Sequence, residues 1–255
     1  MFTCIECGEQ CKDLYSTFPN TGILKIEHCT KCKQVVDKYI EFDITLVFLD
    51  LILLRLAAIR HILCNRDTGN EHWKLAFLCL FCDGYMKWIS KNAPSATIDD
   101  RNSTNSEDVV FHAATQLQLY VMTIVSGLEL SLFIFIVLFL CYVIQKLLVI
   151  LMPKLPSVLL FSTSKQIVFN AKKISQALLF ANCGKLLLLP AIVWGQRSKH
   201  LYYIIAHVIC SSTVSLSIVT NFSYAVTATI SVCSFVSILY LQPWTNSMFE
   251  SNVLF

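Results

Sequence analysis

Cys4-Ile5-Glu6-Cys7 and Cys29-Thr30-Lys31-Cys32 stand at the head of the chain, separated by residues 8–28. Two cysteines spaced by two residues in a tight turn can aim both sulfurs at one point. Two such turns brought together give a tetrahedral set of four thiolates, the donor set that suits zinc. The stretch Thr3–His28 has too few large apolar residues to hold itself folded. A bound metal would supply the missing stability, on the order of 10–16 kcal/mol for sites of this kind. The expectation is a small β-type zinc ribbon with one structural Zn2+ on Cys4, Cys7, Cys29 and Cys32. A closed four-sulfur site leaves no position for water, so the ion is structural rather than catalytic. Disulfides are a competing reading and need an oxidising compartment. A redox pair would need a strand–helix setting that is absent around Cys4. Cys11 and His28 lie close enough to be substitute ligands, and are read as a spectator thiol and a surface residue.

Beyond this module the composition is far from that of a soluble domain. Of 255 residues, 55% are hydrophobic and 15% charged, and the mean hydropathy is +0.61. The excess is concentrated in runs long enough to cross a bilayer. A net charge of +3 is too small to imply a nucleic-acid partner. Cys141, Cys183, Cys210 and Cys233 fall inside apolar runs and read as small hydrophobes rather than parts of a disulfide framework. Cys79-x2-Cys82 repeats the metal spacing without a second pair nearby, and reads as packing. No cleavable signal is visible ahead of the cysteine module, so an internal span is expected to direct insertion.

Four segments follow from the pattern: ribbon and linker (1–43), a membrane or interfacial helical pair (44–90), a polar loop and interfacial helix (91–127), and a multi-span region (128–255). Lys33–Asp43 reads as a last ribbon strand, with Asp43 the N-cap of a helix over Ile44–Cys64. That helix carries Asp50, Arg55, Arg60 and His61. Arg60 and His61 can snorkel toward its end, whereas Arg55 lies near the middle, where a charge costs roughly 2.5–3.5 kcal/mol on insertion scales. On a continuous helix Asp50 and Arg55 stand about 140° apart and make poor partners. The alternative is a helix embedded in the interface with its charges among the headgroups.

Trp73–Ser90 is a short span candidate, and Lys91–Asp108 is expected to be a mobile polar loop containing the glycosylation pattern Asn102-Ser103-Thr104. Val109–Gly127 reads as an interfacial helix. Leu128–Leu151 is the clearest span, flanked by Glu129 and Lys146. Lys146–Lys173 contains lysines and no acid, with Pro153 and Pro156 breaking the helix. Ile174–Trp194 is a further span with Lys185 inside and Pro190 bending its end. Leu201–Leu241 lacks charged side chains and is long enough for two spans of about 20 residues with a turn near Asn221. Ser223, Thr227, Ser231 and Ser234 share a face suited to close helix packing. The fold expected is the ribbon plus an all-α polytopic region of about five spans, or six.

Cys4-Ile5-Glu6-Cys7-Gly8, Cys29-x2-Cys32, Asp37-Lys38-Tyr39-Ile40-Glu41-x-Asp43, Asp50-Leu51 and Arg60-His61-x-Leu63-x-Asn65 occur in one order that resembles the homology domain of the Arv family. The likeness covers about the first 65 residues. Ile59 and Cys64 stand where an aromatic is expected. The resemblance implies a multi-pass endoplasmic-reticulum protein acting in sterol homeostasis and lipid trafficking. It also implies links to sphingolipid balance and to glycosylphosphatidylinositol (GPI)-anchor intermediates, with membrane lipids or lipid-biosynthetic proteins as partners.

No phosphate loop, nucleophile elbow or H-E-x-x-H motif is present, so the first reading is non-enzymatic. The alternatives are a lipid-modifying, acyltransferase-like enzyme, with His207 as the first residue to inspect, and a scaffold subunit of a lipid or GPI biosynthetic complex. Asp50, Arg55, Arg60 and His61 are the candidates for lipid or partner contact, because charges held in a membrane segment are functional candidates by default. Reduced thiolates and the lysine-rich Lys146–Lys173 favour the cytosol, and Asn102 favours the lumen. All three agree if only one of Ile44–Cys64 and Trp73–Ser90 spans fully. On that topology, endoglycosidase treatment shifts the mobility of the expressed chain and Asn102→Gln abolishes the shift. An unglycosylated wild-type chain removes Asn102 as an argument for the lumen and leaves the topology open.

Overall fold

The computed structural model describes residues 2–17, 24–67, 69, 71–92, 105–151, 170–193 and 197–253. Asn102 in the polar loop, and Pro153, Pro156, Lys154 and Lys165 in the lysine-rich stretch, lie outside the described residues.

The N-terminal module consists of two short antiparallel hairpins. β1 (Phe2–Thr3) pairs with β2 (Gln10–Cys11) in the register Phe2↔Cys11, and β3 (Tyr15–Thr17) pairs with β4 (Leu24–Ile26) in the register Tyr15↔Ile26. The expected last strand is reduced to one bridge, His28↔Val35. Beyond it the chain tightens into a 3-10 turn, Lys38–Ile40, because the Asp37 carboxylate accepts the Tyr39 N–H and offers the backbone a cap instead of a ladder.

The single helix expected over Ile44–Cys64 is in fact broken. α1 (Ile44–Ile52) starts at Asp43, which occupies the N-cap position through its backbone and makes no side-chain cap bond. It ends in a Schellman turn: Arg55 N–H bonds the Asp50 carbonyl at 3.0 Å, Leu54 N–H bonds the Leu51 carbonyl at 3.0 Å, and Leu54 takes the left-handed φ of 56°. α2 (Leu56–Arg60) follows and runs into one π-helical turn, His61–Asn65. At nine residues, α1 is about 14 Å long, less than half of a hydrocarbon core of about 30 Å.

α3 (Glu71–Asn92) packs along α4 (Asn105–Leu151), the longest element. The separate interfacial helix and span expected on either side of Gly127 are one continuous helix. A lone glycine costs about 1 kcal/mol in a helix and does not end it. The segment after residue 170 is broken into α5 (Ala171–Ala181), a 3-10 stretch Asn182–Leu187, and α6 (Leu188–Val193). The expected bend at Pro190 is instead a break ahead of it, and Pro190 itself falls in the first turn of α6, where the N–H it lacks would have no intrahelical partner. α7 (Arg197–Thr220) and α8 (Tyr224–Val253) form a helical hairpin that turns where expected, at Asn221, with φ 59°.

Among the described residues, three stretches are long and apolar enough to cross a membrane: Gln116–Leu147, Tyr202–Thr220 and Tyr224–Trp244. Five or six were expected; α1 is too short, α3 carries Glu71, Lys74, Asp83, Lys87 and Lys91, and 174–193 is interrupted. One core, around Val137, Ile174, Leu178, Leu216 and Ile230, joins α4, α5, α7 and α8. A second, around Ile5, Tyr39, Val47, Leu51, Ile59, Leu75 and Phe180, fastens the N-terminal module to α1–α3 and α5. Ser212 and Ser215 on α7 and Thr227, Ser231 and Ser234 on α8 are buried, and α7 packs against α8; small side chains of this kind permit close helix approach.

A Cβ at Gly84 would lie 2.7 Å from the Thr123 Cα, whereas one at Gly127 meets nothing within 4 Å. Gly84→Ala is therefore expected to destabilise the purified chain by about 1–3 kcal/mol, and Gly127→Ala to be neutral or stabilising by up to about 1 kcal/mol. Thermal unfolding in one detergent measures both.

Candidate metal centre and the clamp beneath it

The two cysteine pairs fold into equivalent knuckles. In the first, Gly8 N–H bonds the Cys4 carbonyl at 2.9 Å; in the second, Lys33 N–H bonds the Cys29 carbonyl at 2.9 Å. The residue after each second cysteine has positive φ, 76° at Gly8 and 63° at Lys33. Glycine suits that conformation, and lysine holds it at a cost of roughly 1–2 kcal/mol.

The knuckles bring the four sulfurs together. Cys4 Sγ is 3.7 Å from Cys32 Sγ, Cys7 Sγ is 3.6 Å from Cys29 Sγ, and all four lie within 4.8 Å of one another. A disulfide would need about 2.05 Å. Zinc–sulfur bonds of about 2.3 Å arranged tetrahedrally put the sulfurs roughly 3.8 Å apart, close to the separations seen. The set is compatible with one zinc ion. The thiols differ: N–H donors from Cys32 and Lys31 pull the Cys29 thiol down to about 6, while burial pushes Cys4 up to about 12. A cation among the sulfurs is what allows all four to be thiolates together. Cys11 packs beside the cluster with its Sγ toward the Glu9 carbonyl, and His28 is exposed.

Beneath the knuckles lies a polar clamp centred on Asp37, which is fully buried. Its Oδ2 is 2.7 Å from His61 Nδ1 and accepts from Asn65 Nδ2 at 2.7 Å. Asn65 in turn accepts the Thr3 N–H at 2.7 Å and donates to the Thr3 carbonyl at 2.8 Å, an edge strand completed by a side-chain amide. Arg60 Nη1 donates to the carbonyls of Ile5 (2.9 Å) and Glu6 (2.6 Å), inside the first knuckle. The Tyr39 hydroxyl donates to Asp50 Oδ2 at 2.7 Å, and burial, with Asp50 adding to it, holds the phenol above its usual range and so keeps it a donor.

These contacts revise the expected placements. Arg60 and His61 do not snorkel: one grips the knuckle backbone and the other is buried against Asp37. Asp50 and Arg55 are partners, 3.3 Å apart, because the Schellman turn at Leu54 swings Arg55 back over the helix end. Arg55 remains 60% exposed, so this pair contributes little to stability.

Sequence reasoning missed a second polar cluster. Asp83 on α3 lies 3.3 Å from Lys185 and 3.6 Å from Lys87, and Lys87 also pairs with Glu129. Glu129 therefore lies inside α4 rather than at a span's end. Two acids and two lysines from three elements balance one another, which is how charge is accommodated in an apolar bundle. Lysine four residues after Asp83 was the one local signal. His207 of α7 places Nε2 2.6 Å from the Ile52 carbonyl, one of those left open where α1 stops. Its ring also fills the space a Cβ would need at Gly184.

A two-knuckle cysteine module clamped through buried side chains onto apolar helices defines the class: a membrane protein with an N-terminal cap that can hold a metal. Comparison with known proteins narrows it. The chain belongs to the Arv1-like family, which it matches over residues 3–241. It is similar to protein ARV1 of Homo sapiens, at 30% identity over 241 residues covering 93% of this chain and 77% of the human one. Protein ARV1 of Mus musculus is 29% identical over 255 residues (100% and 83%), and that of Bos taurus 32% over 193 (76% and 60%). No solved structure gives a significant match.

Asp37→Ala leaves His61 and Asn65 without their buried acceptor and is expected to destabilise the chain by about 3–5 kcal/mol. Glu6→Gln removes the exposed Lys38–Glu6 pair and should change stability by less than about 1 kcal/mol. Thermal unfolding of the purified chain, with zinc loss to a chelator as a second readout, separates the two.

Proposed function

We propose that this chain is a non-enzymatic mediator of sterol homeostasis and intracellular lipid distribution in the endoplasmic-reticulum membrane, with one structural zinc ion on Cys4, Cys7, Cys29 and Cys32. Membership of the Arv1-like family supports the lipid role. The observation that carries it to this chain is the clamp: Asp37, Tyr39, Asp50, Arg60, His61 and Asn65 carry the family likeness, and together they lock the ribbon to the broken helix. Their internal bonds support a role as a rigid platform at the membrane face. Arg55, exposed at the break, is the member of the set best placed to touch a lipid headgroup or a partner. Links to sphingolipid balance and to GPI-anchor intermediates belong to the same reading, as does a cytosolic ribbon. Segments 1–43 and 44–90 then act as one unit, and the remaining helices supply the apolar surface.

In cells deprived of their own family member, the wild-type chain is expected to restore the distribution of sterol between the endoplasmic reticulum and the plasma membrane. Cys29→Ser is expected to fail there and to purify without zinc. Wild-type expression with no change in sterol distribution overturns the lipid reading, and full zinc in Cys29→Ser overturns the metal assignment.

A further inference from the structure

Three cavities meet around the π-turn His61–Asn65, and their linings differ in character. The first, about 370 Å³, is walled by Val47, Ile62, Leu75 and Phe180 among other apolar side chains, with Arg66 and Lys74 as its charged residues. The second, about 270 Å³, shares Ile62, Arg66 and Phe180 with the first. It adds Lys172 and Lys173 from the first turn of α5, with Asp67 as its acid. Arg66 thus lines both cavities, with Lys74 on the apolar side and Lys172, Lys173 and Asp67 on the polar side. The volume of the first lies within the range of about 300–1,000 Å³ usual for small-molecule sites.

The surroundings indicate what would occupy it. Ile44 and Leu78 line the first cavity and are exposed, as are Leu49 on α1 and Phe77 on α3. The opening therefore lies among side chains suited to lipid rather than water. The third cavity, about 420 Å³, shares Cys64, Asn170 and Lys173 with the second and reaches the ribbon at Cys7 and the α7–α8 turn at Asn221. That turn joins two candidate spans, and Lys173 lines the same cavity, near the level where spans end and headgroups begin. Asn170 caps α5 by accepting the Lys173 N–H at 3.3 Å, and the positive end of that helix points to the same place.

We propose that the first two cavities form one binding site for an anionic phospholipid of the surrounding bilayer. One acyl chain fills the apolar cavity, and the phosphate lies among Arg66, Lys74, Lys172 and Lys173. This rests on the lipid reading above for its membrane setting and adds a selectivity: the site recognises headgroup charge. A sterol could use the apolar part but brings no anion. Phosphatidylcholine brings a phosphate together with an ammonium group that meets the same cations.

The test uses the full chain purified into nanodiscs of mixed phosphatidylcholine and phosphatidylserine, with retained lipids read by native mass spectrometry. Wild type is expected to retain phosphatidylserine in preference. Lys74→Gln, Lys172→Gln and Lys173→Gln alter exposed side chains, and each should lower that preference about fivefold. Ile44→Trp, which narrows the opening from an exposed position, should reduce retention of both lipids. Zinc content and melting temperature confirm that each variant is folded. The proposal is overturned if the triple lysine variant keeps its preference. It is equally overturned if soluble glycerophosphoserine competes as well as the lipid does, or if cholesterol is retained with no headgroup selectivity. The sterol assay is scored separately. Lost selectivity with intact sterol rescue supports a distinct headgroup site, whereas failed rescue by a wild-type chain that keeps its selectivity removes the functional reading alone.

Discussion

A fully buried carboxylate, Asp37, holds this molecule together at the junction of its two parts. An ionised group removed from water is tolerated only when its oxygens are bonded. The bonds to Asp37 come from its own turn through Tyr39 N–H and from the π-turn through His61 and Asn65. Asn65 then ties in β1, and Arg60 ties in the first knuckle. The cysteine module has little apolar core of its own, so its orientation on the helices depends on this polar clamp and on Ile5 and Tyr39 beneath it. The four-cysteine cluster organises the inside of the cap, and the clamp decides where the cap sits.

The helical body meets the same constraint by different means. Where α1 stops short, His207 meets the Ile52 carbonyl. Where Asp83 and Glu129 face inward, Lys87 and Lys185 reach them. Close contact at Gly84 and Gly184 brings those elements near enough for such bonds. Interrupted helices at membrane depth are tolerated when neighbouring side chains take up the freed backbone groups.

Much of the candidate site was legible because its signals are local. The C-x2-C pairs need only a tight turn, and the structure supplies two equivalent ones. The uncharged run Leu201–Leu241 with Asn221 in its middle reads as a hairpin because asparagine tolerates a left-handed turn. The family likeness pointed to Asp37, Asp50, Arg60, His61 and Asn65, yet their spacing did not say that they bond to one another and to the ribbon. Leu54 was the obstacle: nothing in a leucine announces a positive φ, and a continuous helix there sends Arg55 away from Asp50.

The sequence by itself determined the four-sulfur quartet, the apolar segments and the turn between the last two helices, since each follows from residue type and short spacing. Tertiary structure alone decided which distant polar groups meet. Thr3 and Asn65 are 62 positions apart, and His207 and Ile52 are 155 apart. Partners at such distances are chosen by how helices pack and where they break, and that choice lowers the energy only after both ends have left water.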